Sequence, residues 1–474
     1  MLTDFIKLEY ITILDNRTDI TLPSPPSMAT LKRDLGKISG YATIIGILIG
    51  AGIFRVTGEA GAVAGSAVPF AYLLFTPIVL CTALTYSVFI STPLGMRPGG
   101  AYVHISRTFN NYYLGFIAVW MKLMAFVGAI TFMASSFGDY MTFFIPDTDV
   151  KMWASGVLIF FFAINIIGIR YYAQIQTGML IILIGSILVL IIPGLFVVDL
   201  SNYDPLLPKG ISGVLAAMPM LFFSYAGFES LAQAAGETKN PTKTLPMIFV
   251  KGVIAGAVIF FLMSFVAFGV LPAETLAQSK SAMADAAAQF LPSWGATIVA
   301  IGALSAFLTS INGAILVPSR TLFVFSEDRL FPKSLARIHP KWHTPYISLI
   351  VSGIICVLLI WTQTASYLRN AGLIGIFGIY TLQGIALIAL PHVNKRLYQA
   401  AKVRFPIWAL YIIGGIPAIT MIIFTLNIIR DIYMFAIIGL FLGTVLYSWG
   451  RYRGRKEGFD YEARMEADYH LLEQ

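Results

Sequence analysis

Long apolar stretches separated by short polar segments run through most of the chain. A helix that crosses the hydrocarbon core of a bilayer needs about 17–25 predominantly apolar residues, and these stretches fit that length. The pattern therefore predicts twelve membrane-spanning helices. They are placed at 39–66, 68–92, 112–138, 152–169, 174–198, 211–235, 246–271, 294–318, 345–361, 367–391, 406–427 and 432–450.

Composition supports the same class of protein. The 474 residues are 57% hydrophobic and 12% charged, whereas about 25% of the residues of a soluble domain are charged. The net charge of +8 is unevenly distributed, since about 22 Lys and Arg residues fall on one set of alternate loops and about five on the other. We therefore predict an all-α polytopic protein of the plasma membrane, with both termini cytoplasmic, the lipid bilayer as its environment and no nucleic-acid partner.

Three glycines, Gly46, Gly50 and Gly52, interrupt the first predicted span. Small residues allow close packing between membrane helices, which is one explanation. The other is a break in the helix at mid-membrane. Because hydrocarbon offers no hydrogen-bond partners, unwound backbone survives there only when it is buried in protein or lines a cavity.

The sixth span has a matching interruption at Ala226-Gly227, with Glu229 just beyond it. Many transporters consist of two inverted repeats whose corresponding helices are both discontinuous, and here the two interruptions are five spans apart. We therefore predict a five-plus-five repeat followed by two more helices. The predicted domains are a cytoplasmic tail at 1–38, a transporter domain at 39–450 with repeats at about 39–198 and 211–391 and final helices at about 406–450, and a second cytoplasmic tail at 451–474.

The segment Gly50–Phe54 resembles the glycine-rich motif of the amino acid–polyamine–organocation (APC) superfamily, and Phe223–Glu229 resembles its sixth-helix motif. Three further segments are similar to the family in order and spacing: Arg97–Tyr102, Glu237–Pro246 and Ser319–Pro345. This resemblance, which covers most of the chain, implies the leucine-transporter fold. It also implies an amino acid or a related amine as the substrate.

The two interruptions suit the charged ends of an amino acid. The first N–H groups of a helix have the positive end of its dipole and bind anions, so they would receive the carboxylate, while freed carbonyls would receive the ammonium group. Tyr225 and Phe228 are expected as pocket walls or gates, or alternatively as core aromatics. The predicted substrate-binding residues are Ala51, Gly52, Ile53, Phe223, Tyr225, Ala226 and Phe228. They are neutral, which favours neutral amino acids.

The coupling ion is predicted less directly. Span eight contains Ala306–Ser310, which resembles the sodium-binding stretch of sodium-coupled members of the fold. Sodium is a hard cation that prefers oxygen ligands. The candidates are the carbonyls of Gly46, Ile49 and Ala306 and the hydroxyls of Thr309 and Ser310. Alternatively, both hydroxyls bond the preceding helical turn. Proton-coupled relatives are expected to have a lysine in span five, where Leu183 is the matching residue.

Three charged residues fall inside or beside predicted spans and are candidates for gating. Lys122 is a charge of the permeation region, a substitute for the missing span-five lysine, or a structural residue that pairs or extends towards the cytoplasm. Arg55 is expected to pair with Glu59 or with Glu229. Glu229 either has a structural role, as a cap of the broken helix or a partner of Arg55, or contacts the substrate.

The function predicted is secondary-active transport of neutral amino acids by alternating access, with Na⁺ or H⁺ as the coupling ion and no other cofactor. Proton-coupled symport and amino acid or amine exchange are alternatives of the same fold. A membrane sensor or partner-binding protein that does not transport is an alternative of another class. An enzyme is not expected, because the sequence has no HExxH, GxSxG or P-loop spacing. Both a monomer and a homodimer fit the sequence.

Overall fold

The computed structural model describes residues 31–50, 52–279, 281–362 and 365–470. The helices of the first part of the chain are α1 Lys37–Leu48, α2 Thr57–Ala64, α3 Val68–Ser91, α4 Ala101–Thr108, α5 Tyr112–Phe144, α6 Val150–Ile167 and α7 Ile169–Gly194. Those of the second part are α8 Gly210–Tyr225, α9 Ser230–Gln233, α10 Pro241–Val270, α11 Ala273–Gln278, α12 Ala282–Ala288, α13 Ser293–Ala314, α14 Leu316–Glu327, α15 Tyr346–Trp361 and α16 Ala365–Val393. Then come α17 Lys395–Ala400, α18 Ile407–Lys456 and α19 Tyr461–His470.

Each of the predicted spans coincides with helix. Within the described residues, ten helical stretches are long and apolar enough to cross a membrane. One of them, Lys37–Ser91, contains the first two predicted spans, and α15 is a shorter apolar helix of 16 residues. The all-α polytopic class is thus confirmed, while the number of twelve crossings and the inverted repeat stay predictions.

The first span is discontinuous where the sequence predicts a break. Helix α1 ends at Leu48, and Ile49 has non-helical angles (φ −86°, ψ 71°). The Gly50 N–H donates to the Leu48 carbonyl at 3.0 Å, which is a tight turn in place of a helical bond. The chain then forms a π-helical turn at Gly52–Val56, which α2 continues.

The sixth span is discontinuous as well. Helix α8 ends at Tyr225, Ala226 is extended (φ −70°, ψ 144°), and Gly227 has a φ of +107°. A positive φ costs a glycine little because it has no Cβ. The short helix α9 begins three residues later at Ser230. Both predicted interruptions are therefore breaks in the backbone and not only close-packing surfaces.

Helix packing places the two breaks in the centre of the bundle. Helix α5 packs along α16, α13 packs along α7, and α3 packs along α10. In a five-plus-five repeat the pairs α5–α16 and α13–α7 would be equivalent, because each joins the third span of one repeat to the fifth span of the other. Helix α1 packs against α7, α10 and α13.

The ends of the predicted domain lie close to helix boundaries. Helix α1 begins at Lys37, and residues 1–30 of the predicted N-terminal tail lie outside the described residues. Helix α18 has non-helical angles at Ile432, which divides the last two predicted spans. It continues beyond residue 450 to Lys456, and α19 follows within the predicted C-terminal tail.

Candidate functional site

The two backbone breaks approach each other closely. A Cβ atom on Gly52 would lie only 2.4 Å from the Cα of Ser224 at the end of α8, and a Cβ on Gly227 would lie 2.7 Å from the Ile47 side chain. Contacts this short are not available to any residue with a side chain. Glycine at these two positions therefore allows the interruption of the first span to contact that of the sixth.

A cavity of about 30 Å³ lies at this contact. Because a water molecule needs about 10–15 Å³ measured in this way, the cavity is smaller than an amino acid. Its lining comes from the first, third, sixth, eighth and tenth predicted spans and contains no charged side chain. The lining residues are Ile47, Leu48, Gly50, Gly52, Phe126, Ala129, Met133, Phe223, Ala226, Gly227, Ser310, Ala314 and Ile376.

Residues of both breaks line this cavity. Near the first break, the Phe54 N–H donates to the Gly50 carbonyl at 3.4 Å. At the second break, the Gly227 N–H donates to the Glu229 carboxylate at 3.0 Å and not to the Phe223 carbonyl four residues earlier. The Gly227 N–H therefore lies outside the regular hydrogen-bond pattern of an α-helix.

Some of the predicted substrate-binding residues lie in the lining and others do not. Gly52, Phe223 and Ala226 line the cavity, and Ala51 lies outside the described residues. Ile53 is fully buried but is not among the lining side chains.

The two predicted wall aromatics point elsewhere, so their assignment to the pocket wall needs correction. The Tyr225 hydroxyl donates to the Tyr72 carbonyl on α3 at 3.1 Å. Phe228 packs against Tyr86, Phe249 and Tyr380. Both residues are fully buried in the protein core, as the alternative interpretation predicts, and the lining aromatics are Phe126 and Phe223.

The predicted ion ligands are largely brought together. The Thr309 hydroxyl donates to the Gly46 carbonyl at 2.9 Å, and the Ser310 hydroxyl lies 3.0 Å from the same oxygen and 3.2 Å from the Ile47 carbonyl. Thr309 also donates to the Ala306 carbonyl at 2.9 Å, as the backbone-bonding alternative predicts. Ile49 is fully buried in the non-helical turn.

The charged candidates form two ion pairs, one on each break. Arg55 Nη1 lies 2.5 Å from Asp139 Oδ2 on α5, and its Nε lies 3.5 Å from Glu59 Oε1. The predicted pairing of Arg55 with Glu59 is therefore present.

The alternative pairing of Arg55 with Glu229 is wrong, because Glu229 has another partner. Lys122 Nζ lies 3.0 Å from Glu229 Oε1, and both side chains are fully buried. Lys122 is thus a structural, paired residue and does not extend to the cytoplasmic surface.

A family model described as amino acid permease matches residues 35–443 of the chain. The chain belongs to the amino acid permease family. This result confirms the APC resemblance and assigns the protein to a family of amino acid transporters. The permease is 26% identical over 442 residues to a branched-chain amino acid permease of Bacillus subtilis, which covers 88% of this chain and 93% of that relative.

Two further relatives of the permease come from the same organism and differ in substrate. A methylthioribose transporter is 25% identical over 441 residues, which covers 85% of this chain and 93% of that protein. A serine/threonine exchanger is 27% identical over 390 residues, which covers 77% of this chain and 84% of that protein. These relatives thus match the chain over most of its length, but their names give different substrates.

Segments that resemble the family motifs also take part in buried ion pairs. Arg320 makes two bonds to the Glu237 carboxylate, at 2.8 and 2.9 Å. Asp328 accepts bonds from Tyr102 at 2.6 Å and from Arg107 at 3.2 Å. Because buried charges require partners, these contacts hold the segments together.

Sequence reasoning missed several residues of the site. Phe126, Ala129 and Met133 of α5 and Ile376 of α16 line the cavity, but apolar residues in an apolar helix give no distinguishing signal. Gln176 did give a signal, because it is a lone amide at the start of span five. Its Nε2 donates to the carbonyls of Ala42 and Thr309 at 3.3 and 3.2 Å. Gln176, and not Leu183, is the span-five residue that contacts the hydroxyl site.

Proposed function

We propose that this permease is a secondary-active transporter of neutral amino acids that works by alternating access. The observation on which this proposal depends is the cavity between two facing backbone breaks. The N–H groups that follow Gly50 would bind the substrate carboxylate, and the Phe223 carbonyl would accept from its ammonium group. The uncharged lining would surround the substrate side chain.

The proposal of neutral substrates rests on this lining. A cationic or anionic side chain bound against this uncharged lining would lack a counterion, which is costly. The lining has the apolar walls Ile47, Phe126, Met133 and Ile376, which suit aliphatic side chains. The names of two relatives, a branched-chain amino acid permease and a serine/threonine exchanger, agree with neutral substrates.

In this proposal the chain crosses the plasma membrane twelve times, with cytoplasmic termini, as a monomer or a homodimer. The first and sixth spans would move with the second and seventh against the other helices, around a substrate at mid-membrane. The two ion pairs support this division. Arg55–Asp139 and Lys122–Glu229 both join the moving spans to α5.

We propose sodium as the coupling ion. The donor set around Thr309 and Ser310 consists of hydroxyl and carbonyl oxygens, which fits a hard cation. The hydroxyls together with the carbonyls of Gly46, Ile47 and Ala306 would hold it. A bound cation would favour the arrangement in which the end of α1 lies against α13, and sodium would thereby promote substrate binding at the adjacent break.

Exchange without an ion is the second candidate. Both hydroxyls already donate to carbonyls, and the Gln176 amide donates to the Thr309 carbonyl. These bonds satisfy the same oxygens without a cation. A transporter of this kind would move one amino acid against another, with no requirement for sodium.

The test is uptake by purified protein in liposomes, with labelled leucine, alanine, serine and lysine, in sodium and in potassium buffer. We expect uptake of the neutral amino acids, a several-fold stimulation by sodium, and loss of that stimulation in T309A/S310A. Counterflow with an internal amino acid, measured in the same variant, should persist. Uptake that depends on internal amino acid and not on sodium would support exchange instead. Absence of any flux and of any ligand-induced thermal stabilisation would refute transport.

A further inference from the structure

The Lys122–Glu229 pair lies beside the cavity and not in its lining. Both side chains have 0% exposure, and their charged atoms are 3.0 Å apart. Removal of one partner of such a pair leaves an uncompensated charge in the interior, which is strongly unfavourable. The pair is therefore a fixed feature of the structure, and its position relative to the cavity suggests its role.

The Glu229 carboxylate organises the second break. Its Oε2 accepts from the Gly227 N–H at 3.0 Å and from the Tyr380 hydroxyl of α16 at 2.5 Å. In a continuous helix the Gly227 N–H would donate to the Phe223 carbonyl. The carboxylate takes the place of that carbonyl, so the chain leaves the helix and the Phe223 carbonyl loses its helical partner.

The Lys122 side of the pair also contacts the lining. Phe126 follows Lys122 by one turn on α5, and Lys122 Nζ lies 5.2 Å from the centroid of the Phe126 ring. Gly227 and Phe126 are both lining residues. Each member of the pair thus contacts a lining residue of its own segment: Lys122 contacts Phe126 on α5, and Glu229 contacts Gly227 in the second break.

Other polar groups around the pair hold it in position. Tyr86 of α3 packs edge-on against Tyr380 with ring centroids 6.3 Å apart. His104 of α4 shares a 2.8 Å hydrogen bond with Gln383, which follows Tyr380 by one turn. Of the described cations, Lys122 is the one within ion-pair distance of Glu229.

We propose that Lys122 and Tyr380 are positioning residues for the substrate site. They compensate the buried Glu229 carboxylate so that it accepts from the Gly227 N–H, and the Phe223 carbonyl is thereby kept free for the substrate ammonium group. The inference rests on the proposed function, since it requires an ammonium group at this break. Lys122 and Tyr380 themselves do not touch the substrate.

The test compares two double variants that both remove the charges. In K122M/E229Q the glutamine still offers an oxygen to the Gly227 N–H, whereas in K122M/E229L it does not. We expect K122M/E229Q to keep a KM within about threefold of wild type, and K122M/E229L to raise KM at least about tenfold. The maximal rate per folded protein should change less than KM, because the substrate binds through the break. Thermal unfolding in detergent shows whether both variants fold.

Two outcomes would overturn the positioning role. A wild-type KM in folded K122M/E229L would overturn the positioning role. Equal losses in both double variants would also overturn it, since the retained acceptor would then have no effect. Should K122M/E229L fail to fold, Y380F provides the second measurement, for which we expect a raised KM with a retained maximal rate. A wild-type protein without flux or binding would overturn the proposed function and not the geometry of the break.

Discussion

At the scale of single residues, the site depends on two glycines, which have no side chain, and on the Glu229 carboxylate, whose charge is compensated by Lys122. Gly52 lets the π-helical turn of the first span touch the backbone of Ser224. Gly227 adopts a φ of +107°, and its N–H is held by Glu229. A regular helix bonds its own N–H and C=O groups to each other. Backbone groups can therefore face a ligand only where the helix is interrupted, as it is near Gly52 and Gly227.

Substitution of Gly52 by alanine is expected to abolish substrate binding. The added Cβ would lie 2.4 Å from a backbone atom, so the two breaks must move apart. Gly178→Ala in α7 is the matched control, because a Cβ there meets nothing within 4 Å. Substrate-induced thermal stabilisation would be measured for both variants. Normal stabilisation of G52A would contradict the assignment of this contact to the site.

At the scale of elements, α5 contacts both breaks. Its residues Phe126, Ala129 and Met133 form one wall of the cavity. Lys122 and Asp139, about 25 Å apart along the helix, pair with Glu229 beyond the second break and with Arg55 beyond the first. The wall between these two charged residues faces the cavity.

Truncation of this wall should change side-chain selection. Met133→Ala truncates a lining side chain and enlarges the cavity. The affinity for larger substrates should therefore rise relative to the affinity for smaller ones. Because filling apolar space of this size changes discrimination by about 10–200-fold, we expect the KM ratio of phenylalanine to alanine to fall at least about tenfold. Met124→Ala, on the same helix but outside the lining, should leave the ratio unchanged. An unchanged ratio in M133A would exclude this wall from selection.

At the scale of the whole molecule, an acidic residue that follows α14 joins α4 to the C-terminal helix α19. Asp328 is bonded by Tyr102 and Arg107 of α4 and by Arg464 of α19, the last at 3.3 Å. Burial alone would raise the pKa of Asp328, but Arg107 and Arg464 lower it from its ordinary value of 3.8. The carboxylate is therefore stabilised as the charged form and connects three segments that are distant in sequence.

Asp328→Asn should destabilise the protein, because it leaves the buried Arg107 without its counterion. The loss of one partner of a buried pair costs about 3–5 kcal/mol, so the thermal unfolding midpoint in detergent should fall clearly. Arg464→Ala, which removes a partly exposed partner, should have a smaller effect, of about 1 kcal/mol or less.

The pH dependence of this prediction follows from the lowered pKa. The stabilisation by Asp328 is complete when the pH is well above 3.8, which is the ordinary pKa of this carboxyl group. It is lost as the pH falls through the lower pKa of the folded state. The difference between wild type and D328N should therefore stay constant between about pH 5 and pH 8. Equal unfolding midpoints at neutral pH would contradict the role of Asp328.

Much of the architecture could be predicted from the order of residues. Apolar length predicts the spans, because a helix must satisfy its own backbone in hydrocarbon. The glycines of the first span and Ala226-Gly227 in the sixth predict the breaks, since few other residues permit them. The resemblance of Ala306–Ser310 to a sodium-binding stretch predicts the hydroxyls of Thr309 and Ser310 near the Gly46 carbonyl, and both contacts are present.

The partners of these groups required the tertiary structure. A helix that is apolar all round has no periodicity to indicate which face is inward. For this reason the sequence leaves open whether Tyr225 and Phe228 line the pocket or belong to the core, whereas the structure has Phe126 and Met133 in the lining. Charge alone allowed Glu229 to pair with Arg55, and only the packing of α5 against the second break places Lys122 there. The chain itself thus determines where the helices cross and break, whereas side-chain neighbours depend on helix rotation and register, which only tertiary packing decides.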